Sequence, residues 1–211
     1  MKKFFSTLLV LMLFTTLLLP FKVYGIDNEI PLSNSIVNMK IDQRKLWIDH
    51  VSWTRSFIIS DLASLADKDP VLERLLKNQD DIGASIKPYY GEEAGNKLSK
   101  LLREHIVIAG QVVDSAKSNN KSDLDKYNKS WYKNADDIAD FLSSANSNWV
   151  NSELKDMLHK HLEFVTAQVV ARLNKNWKAD IEAYDKGEEH MIKFADVLSD
   201  GIVKQFPQKF S

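Results

Sequence analysis

Apolar residues recur every three to four positions along nearly the whole chain after residue 36, a rhythm that predicts helices. The first such stretch runs from about Ile36 to Ala66 and carries Leu46, Trp53, Phe57, Ile58 and Leu62. DKDP at 67–70 ends it, because the residue before a proline avoids helical angles while proline suits a first turn. A shorter helix is predicted over 71–86, closed by KPYYG, and another over 92–117 with Leu98, Leu101, Leu102, Ile108, Ala109 and Val112 on one side. SNNKSD reads as a loop, with Ser122, Asp123 and Asp125 at the start of a helix that reaches about Ala145.

NSNWVNSE at 146–153 repeats that loop-and-cap logic, and from Glu153 to about Phe206 the helical rhythm hardly stops. One straight helix of that length would reach roughly 80 Å, about twice its neighbours, so a bend or break is expected between Asn174 and Gly187. No alternating run of β-branched residues and no hairpin turn signal is found. The prediction is all-α: an up-and-down antiparallel bundle of four to five main helices, the last long and bent or broken, forming one domain over 36–207.

Ahead of the helices stands MKKFFSTLLVLMLFTTLLLPFKVYG. Two lysines, an apolar run from Phe4 to Leu19 and a small residue at Gly25 read as a secretory signal over 1–25, followed by a flexible lead over 26–35. The expectation is a secreted or extracytoplasmic protein with peripheral contact to the cell envelope; the alternative is an uncleaved N-terminal anchor. The chain has no cysteine, which excludes lipid attachment at the cut site, disulfides and thiol chemistry. The signal holds three lysines and no acid, leaving 25 basic against 29 acidic residues, a net charge of −4 beyond it. That balance argues against a nucleic-acid partner, which needs a concentrated basic face.

Five histidines are present, at 50, 105, 159, 161 and 190. His50 is in register with Leu46, Trp53 and Phe57; His105 with Leu98, Leu101, Leu102, Ile108 and Val112; His161 with Leu154, Leu158 and Val165. His159 and His190 fall on charged faces. The three inward histidines lie near the middles of their helices, as do Asn134 and Asp137, and mid-helix residues of an antiparallel bundle meet at one height. A polar layer of His50, His105, His161 and either Asn134 or Asp137 is therefore expected across the core. On the last stretch Trp177, Ile181, Tyr184, Met191, Ala195 and Leu198 form a stripe that includes Glu188, a carboxylate able to join the layer.

Two readings of the layer stay open. Neutral imidazoles with a carboxylate suit zinc, iron, copper or nickel, with His50, His105, His161, Asp137 and Glu188 as ligands and Thr54, Asn134 and Arg172 as support. Alternatively the layer is a hydrogen-bonded network that satisfies buried polar groups and fixes helix register. A third class, an enzyme with His50 or His161 as general acid or base, requires an open cleft and an orienting carboxylate. A plain structural bundle is also open, its protein partner docking on an exposed apolar face.

Several ready-made sites are excluded. A di-iron bundle needs Glu-x-x-His on two helices, whereas Glu104 and Asp49 directly precede their histidines. HKHLE at 159–163 is not HExxH, and no GxSxG, Walker or GxGxxG motif occurs. Seven glycines leave little for a phosphate loop. Arg55 reads as an ion-pair partner, and the five tryptophans read as core.

HVSWTR (50–55), LLREHIVIAGQVV (101–113), WYKNADDIADFL (131–142), MLHKHLEFV (157–165) and ADVLSDGIVKQFP (195–207) together resemble an uncharacterised family of small exported helical proteins of spore-forming Gram-positive bacteria. The resemblance spans nearly all of the chain beyond the signal and implies one all-helical domain, without an activity. Some members of that family carry an acetylglutamate kinase label. Such kinases are α/β proteins with glycine-rich phosphate loops, and this chain has neither.

Overall fold

The computed structural model describes residues 33–211, so the signal and most of the lead lie outside the described residues. Five helices follow one another: α1 (Asn34–Leu62), α2 (Lys68–Lys117), α3 (Lys121–Ala145), α4 (Asn151–Leu173) and α5 (Trp177–Gln205), closed by a short 3₁₀ turn at Pro207–Lys209. No strand occurs among the described residues, and the fold is an all-α bundle. None of these helices is long and apolar enough to cross a membrane.

The helix pairs fix the directions. Lys40 meets Asp200, Arg44 meets Asp196 and Arg55 meets Asp180, so α1 and α5 run antiparallel. Asp136 and Asp140 of α3 bond His159 and Lys155 of α4, and Met157 of α4 accepts from His190 of α5. These pairs, together with α1 on α2 and α2 on α3, close a ring of packed helices around one core.

The expected pair of helices over 71–86 and 92–117 is present as the two arms of α2, which kinks between them. Helical hydrogen bonding continues through Pro88 to Gly91, where φ is 86° and ψ 171°. Those angles are open essentially to glycine alone, and they fold the arm 68–90 back along the arm 92–117. Arg103 spans the two arms, donating to the Leu76 carbonyl and to Asp80.

The expected break falls at 174–176. The turn there repeats one used after α1 and α2: Ser64, Asn119 and Lys175 take left-handed φ of 54°, 56° and 56°. In each case the next N–H reaches back to a helix carbonyl, Leu65 to Ser60, Asn120 to Ser115 and Asn176 to Ala171. This is the paired closure that satisfies the orphan carbonyls of a helix end. Asn120 and Asn176 then cap the following helices with their side-chain oxygens. The cap of α3 is thus Asn120 rather than Ser122.

The domain also extends past its expected boundaries at 36 and 207. Ser33 caps α1, and Ser33 and Ser35 both donate to the carbonyl of Phe210. Phe210 is buried and stacks on Tyr89 with ring centres 5.6 Å apart.

Candidate functional site

α1, α2 and α4 each deliver one histidine to the centre, and each is buried: His50, His105 and His161. Each sits on the helix stripe that faces the core, one turn from Trp47 and Thr54, from Leu101, Leu102 and Ala109, and from Leu158 and Val165 respectively. The Nε2 atoms of His50 and His161 are 3.4 Å apart. Their ring centres are 5.4 Å apart, and those of His105 and His161 6.4 Å. Helices with no sequence proximity therefore bring three imidazoles into one layer.

Asn134 is the fourth member contributed by α3. Its Nδ2 donates to the Leu101 carbonyl at 3.2 Å, which fixes its Oδ1 as an acceptor facing His105 Nδ1 at 2.7 Å. His105 must then carry its proton on Nδ1, leaving Nε2 with a free lone pair. Such orientation of the far ring nitrogen is what metal-binding histidines require, and it equally serves a packing network.

The layer keeps its histidines neutral. Burial pushes His50 down to about 3, with His105 adding repulsion and Gln79 opposing. Burial pushes His105 to about 4 against the opposing bond to Asn134. His161 is lowered well below its usual value, first by burial and then by His50, His105 and His190. Neutral imidazoles are the metal-binding form.

Around the rings, polar capacity is unmet. His161 Nδ1, Thr54 Oγ1, Trp47 Nε1 and Trp131 Nε1 are buried without a hydrogen-bond partner, and His50 Nδ1 and Gln79 Oε1 are neighbours that fall short of a well-formed bond. Trp47 packs edge-on against His50 and Trp131 lies against His105. Each such atom costs about 1–3 kcal/mol when left unpaired.

Other expected members lie elsewhere. Asp137 points outward, its side chain 44 % exposed and paired with Lys133 at 2.7 Å. It is Asn134, three positions earlier, that faces the layer. Glu188 is half-buried on the flank of α5, accepting from Tyr184 Oη at 2.9 Å, and Arg172 is bound to Asp180. Among the described residues no group of three or more histidine, aspartate or glutamate side chains is assembled to hold a metal ion. His50 and His161 are a pair of facing donors, whereas the His105 ring centre is 6.4 Å from that of His161, beyond the roughly 5 Å spacing of two ligands on one tetrahedral ion.

Several buried polar groups escaped the sequence reading, Asp61, Asn78, Gln79 and Asp180 among them. Gln79, fully buried beside His50, comes from an arm that reads as an ordinary amphipathic helix. Asp180, 2 % exposed, accepts two bonds from Arg55 at 2.8 and 3.0 Å and one from Arg172 at 2.8 Å. The reading of Arg55 as an ion-pair partner agrees with this. Of the five tryptophans, Trp47, Trp131 and Trp149 are in the core, whereas Trp177 is 53 % exposed and Ile181 51 %. The outer part of the expected α5 stripe thus faces solvent.

A histidine acting as general acid or base is oriented by a carboxylate and open to substrate. Neither His50 nor His161 bonds a carboxylate, and both are enclosed. Comparison with models of known protein families, with curated proteins and with solved structures gives no match.

Proposed function

We propose that this chain is an exported helical-bundle binding protein that takes a transition-metal ion into its histidine layer. One observation carries the reading: the Nε2 atoms of His50 and His161 lie 3.4 Å apart. Two nitrogens each about 2.05 Å from one tetrahedral zinc stand about 3.4 Å from one another. An ion between them replaces one long N–H···N contact with two ligand bonds. His105, with its free Nε2 and its Asn134 brace, is the third donor once its ring, 6.4 Å from that of His161 between centres, moves inward. Zinc, copper, nickel and iron all accept imidazole, and the absence of thiolate favours none of them.

A ligand that binds only the folded state raises its stability, by about 2.7 kcal/mol at a hundredfold excess over Kd. For a domain of this size that is at least about 5 °C in Tm. The test is a melting curve of the untagged protein with and without zinc, beside His50→Leu and His161→Leu. The reading requires a zinc-dependent rise in the parent that both variants lose; equal curves with and without metal in the parent would sink it.

A second reading keeps the layer metal-free and gives the protein an interaction role at the cell envelope. Val170, Leu173, Trp177 and Ile181 favour it, being large apolar side chains left exposed at the α4–α5 turn. Under this reading the histidines only hold helix register, and the zinc melt shows no shift.

A further inference from the structure

We infer that the corner where α4 turns into α5 docks on a membrane surface carrying anionic lipid headgroups, with Trp177 as its interfacial anchor. The inference rests on the exposed side chains of the interaction reading and names what covers them; it holds whether or not an ion enters the histidine layer. Among the described residues nine large apolar side chains are exposed, and four of them, Val170, Leu173, Trp177 and Ile181, stand at the end of α4 and the start of α5. The end of α1 adjoins this corner, since Leu62 and Ala63 line a notch of about 220 Å³ together with Arg172, Leu173, Lys175 and Trp177.

Charge decides what covers these side chains. From Phe164 to Ala179 the chain holds Arg172, Lys175 and Lys178 and no acid. Lys175 is exposed on the left-handed residue of the turn, and its ammonium has no partner among the described residues. Lys178, 88 % exposed, meets Glu182 only at 3.8 Å, an exposed pair of little weight. Arg55 and Arg172 share the single carboxylate of Asp180, so that triad keeps one positive charge. Four cations against two acids leave the corner at +2. Beyond it stand Glu163, Asp185 and, on the α1–α2 turn, Asp67 and Asp69, which confine the positive charge to the corner. A second copy of the chain is the poorer occupant. A two-fold contact through this patch would bring two sets of Lys175 and Lys178 together, and four half-exposed side chains are few beside the roughly 20–30 residues per partner of a stable interface. Anionic headgroups offer those ammonium groups opposite charge instead.

The anchor is placed before contact. The Arg172 guanidinium lies over the Trp177 ring, 5.3 Å from its centre, and is itself held by Asp180 at 2.8 Å. Little ordering of the indole is then left to lose on docking. An apolar ring with one N–H suits the boundary between headgroups and acyl chains, and the flexible lysine stems let their ammonium groups reach the headgroups while the apolar side chains sit deeper. Contact of this kind is peripheral, a small apolar insertion whose strength depends on the lysines and falls with added salt.

The experiment mixes the whole untagged chain with vesicles of phosphatidylcholine, alone or with an equal share of phosphatidylglycerol, and takes the Trp177 emission as the difference between the parent and Trp177→Phe. Residue 33 lies beside Phe210 at the far end of the bundle, so lipid contact made from that end leaves this signal unchanged. The expected result is a blue shift, and quenching by brominated acyl chains, with the phosphatidylglycerol vesicles only, lost in strong salt. Half the change should need at least about tenfold more lipid in the double variants Lys175→Gln with Lys178→Gln and Leu173→Ser with Ile181→Ser. Val37→Ser with Ile41→Ser, exposed near the far end, should match the parent. An equal response to both vesicles overturns the proposal, because the lysines then do not select the surface. No response to either overturns it as well. In that case, shielding of Trp177 from acrylamide by a lipid-free protein extract of the cell envelope leaves the interaction reading standing, and no shielding removes that reading too. A dimer in solution that Leu173→Ser with Ile181→Ser dissolves assigns the corner to a second copy and overturns the lipid partner.

Discussion

His50 and His161, 111 residues apart in sequence, meet edge to edge with their Nε2 atoms 3.4 Å apart in the centre of the bundle. Both are buried and neutral; His161 Nδ1 is unpaired, and His50 Nδ1 has only a poorly formed contact with Gln79. Two imidazoles that share a single long contact and leave two polar atoms unmet are a costly way to fill a core. The stability of the fold depends on how that cost is offset.

Acid should unfold the metal-free protein. His50, His105 and His161 have folded values far below the ordinary 6.5 of an unfolded histidine, so the unfolded chain binds more protons at lower pH. Their contribution to stability is complete above about pH 6.5 and declines as pH falls below it. Each loses up to about 1.4 kcal/mol per pH unit, so the three together lose about 6 kcal/mol between pH 7 and pH 5. Urea melts across that range should show this fall, and His161→Leu should shrink it by about a third. A flat profile between pH 7 and pH 5 would contradict the buried neutral assignment.

Asp180 holds Arg55 and Arg172 at once, joining α1, α4 and α5. Its carboxylate is almost fully enclosed, while the two arginines are 20 % and 16 % exposed. Asp180→Asn leaves two guanidinium groups facing a neutral amide and should cost about 3–5 kcal/mol. A denaturant titration showing a loss below about 1 kcal/mol would mean that the arginines find water as readily as they found the carboxylate.

Gly201 is where the Trp149 indole presses its N–H edge against α5, its Nε1 donating to the Val197 carbonyl at 3.2 Å. A Cβ at position 201 would overlap the indole ring itself. Gly201→Ala ordinarily favours a helix by up to about 1 kcal/mol, but overpacking here should outweigh it and destabilise by about 1–3 kcal/mol. A thermal melt gives the sign, and a rise in Tm would show that Trp149 has room to move.

Phe210 ties the end of the chain to its described beginning through the serines at 33 and 35 and through Tyr89. Phe210→Ala should cost about 3–5 kcal/mol in the same melts, the range for removing a buried phenylalanine. A loss within 0.5 kcal/mol would place the terminal turn outside the cooperative fold.

The helices were legible because a three-to-four-residue rhythm needs only neighbours in sequence, and the three inward histidines were legible for the same reason. The choice between Asn134 and Asp137 was not. They lie about 60° apart on one helix, and which of them faces inward depends on where α2 and α4 press against α3. Asp180 and Gln79 were hidden more deeply, since a buried acid or amide on an amphipathic helix looks like a solvated one until its partners arrive from other helices. The break at Gly91 was legible as a stop in KPYYG; only its exact place, three residues past the proline at a glycine with positive φ, was not. Phe210 was missed because the few residues that follow α5 offer no periodicity.

The most direct measurement is the metal content of the untagged protein as purified, beside His50→Leu, His105→Leu and His161→Leu variants shown to be folded by circular dichroism. Binding at the layer predicts close to one equivalent of a transition metal in the parent, with loss in His50→Leu and His161→Leu and weakening in His105→Leu. A parent that carries none, and still carries none after dialysis against zinc, copper, nickel and iron in turn, would contradict it and leave the layer as a packing network.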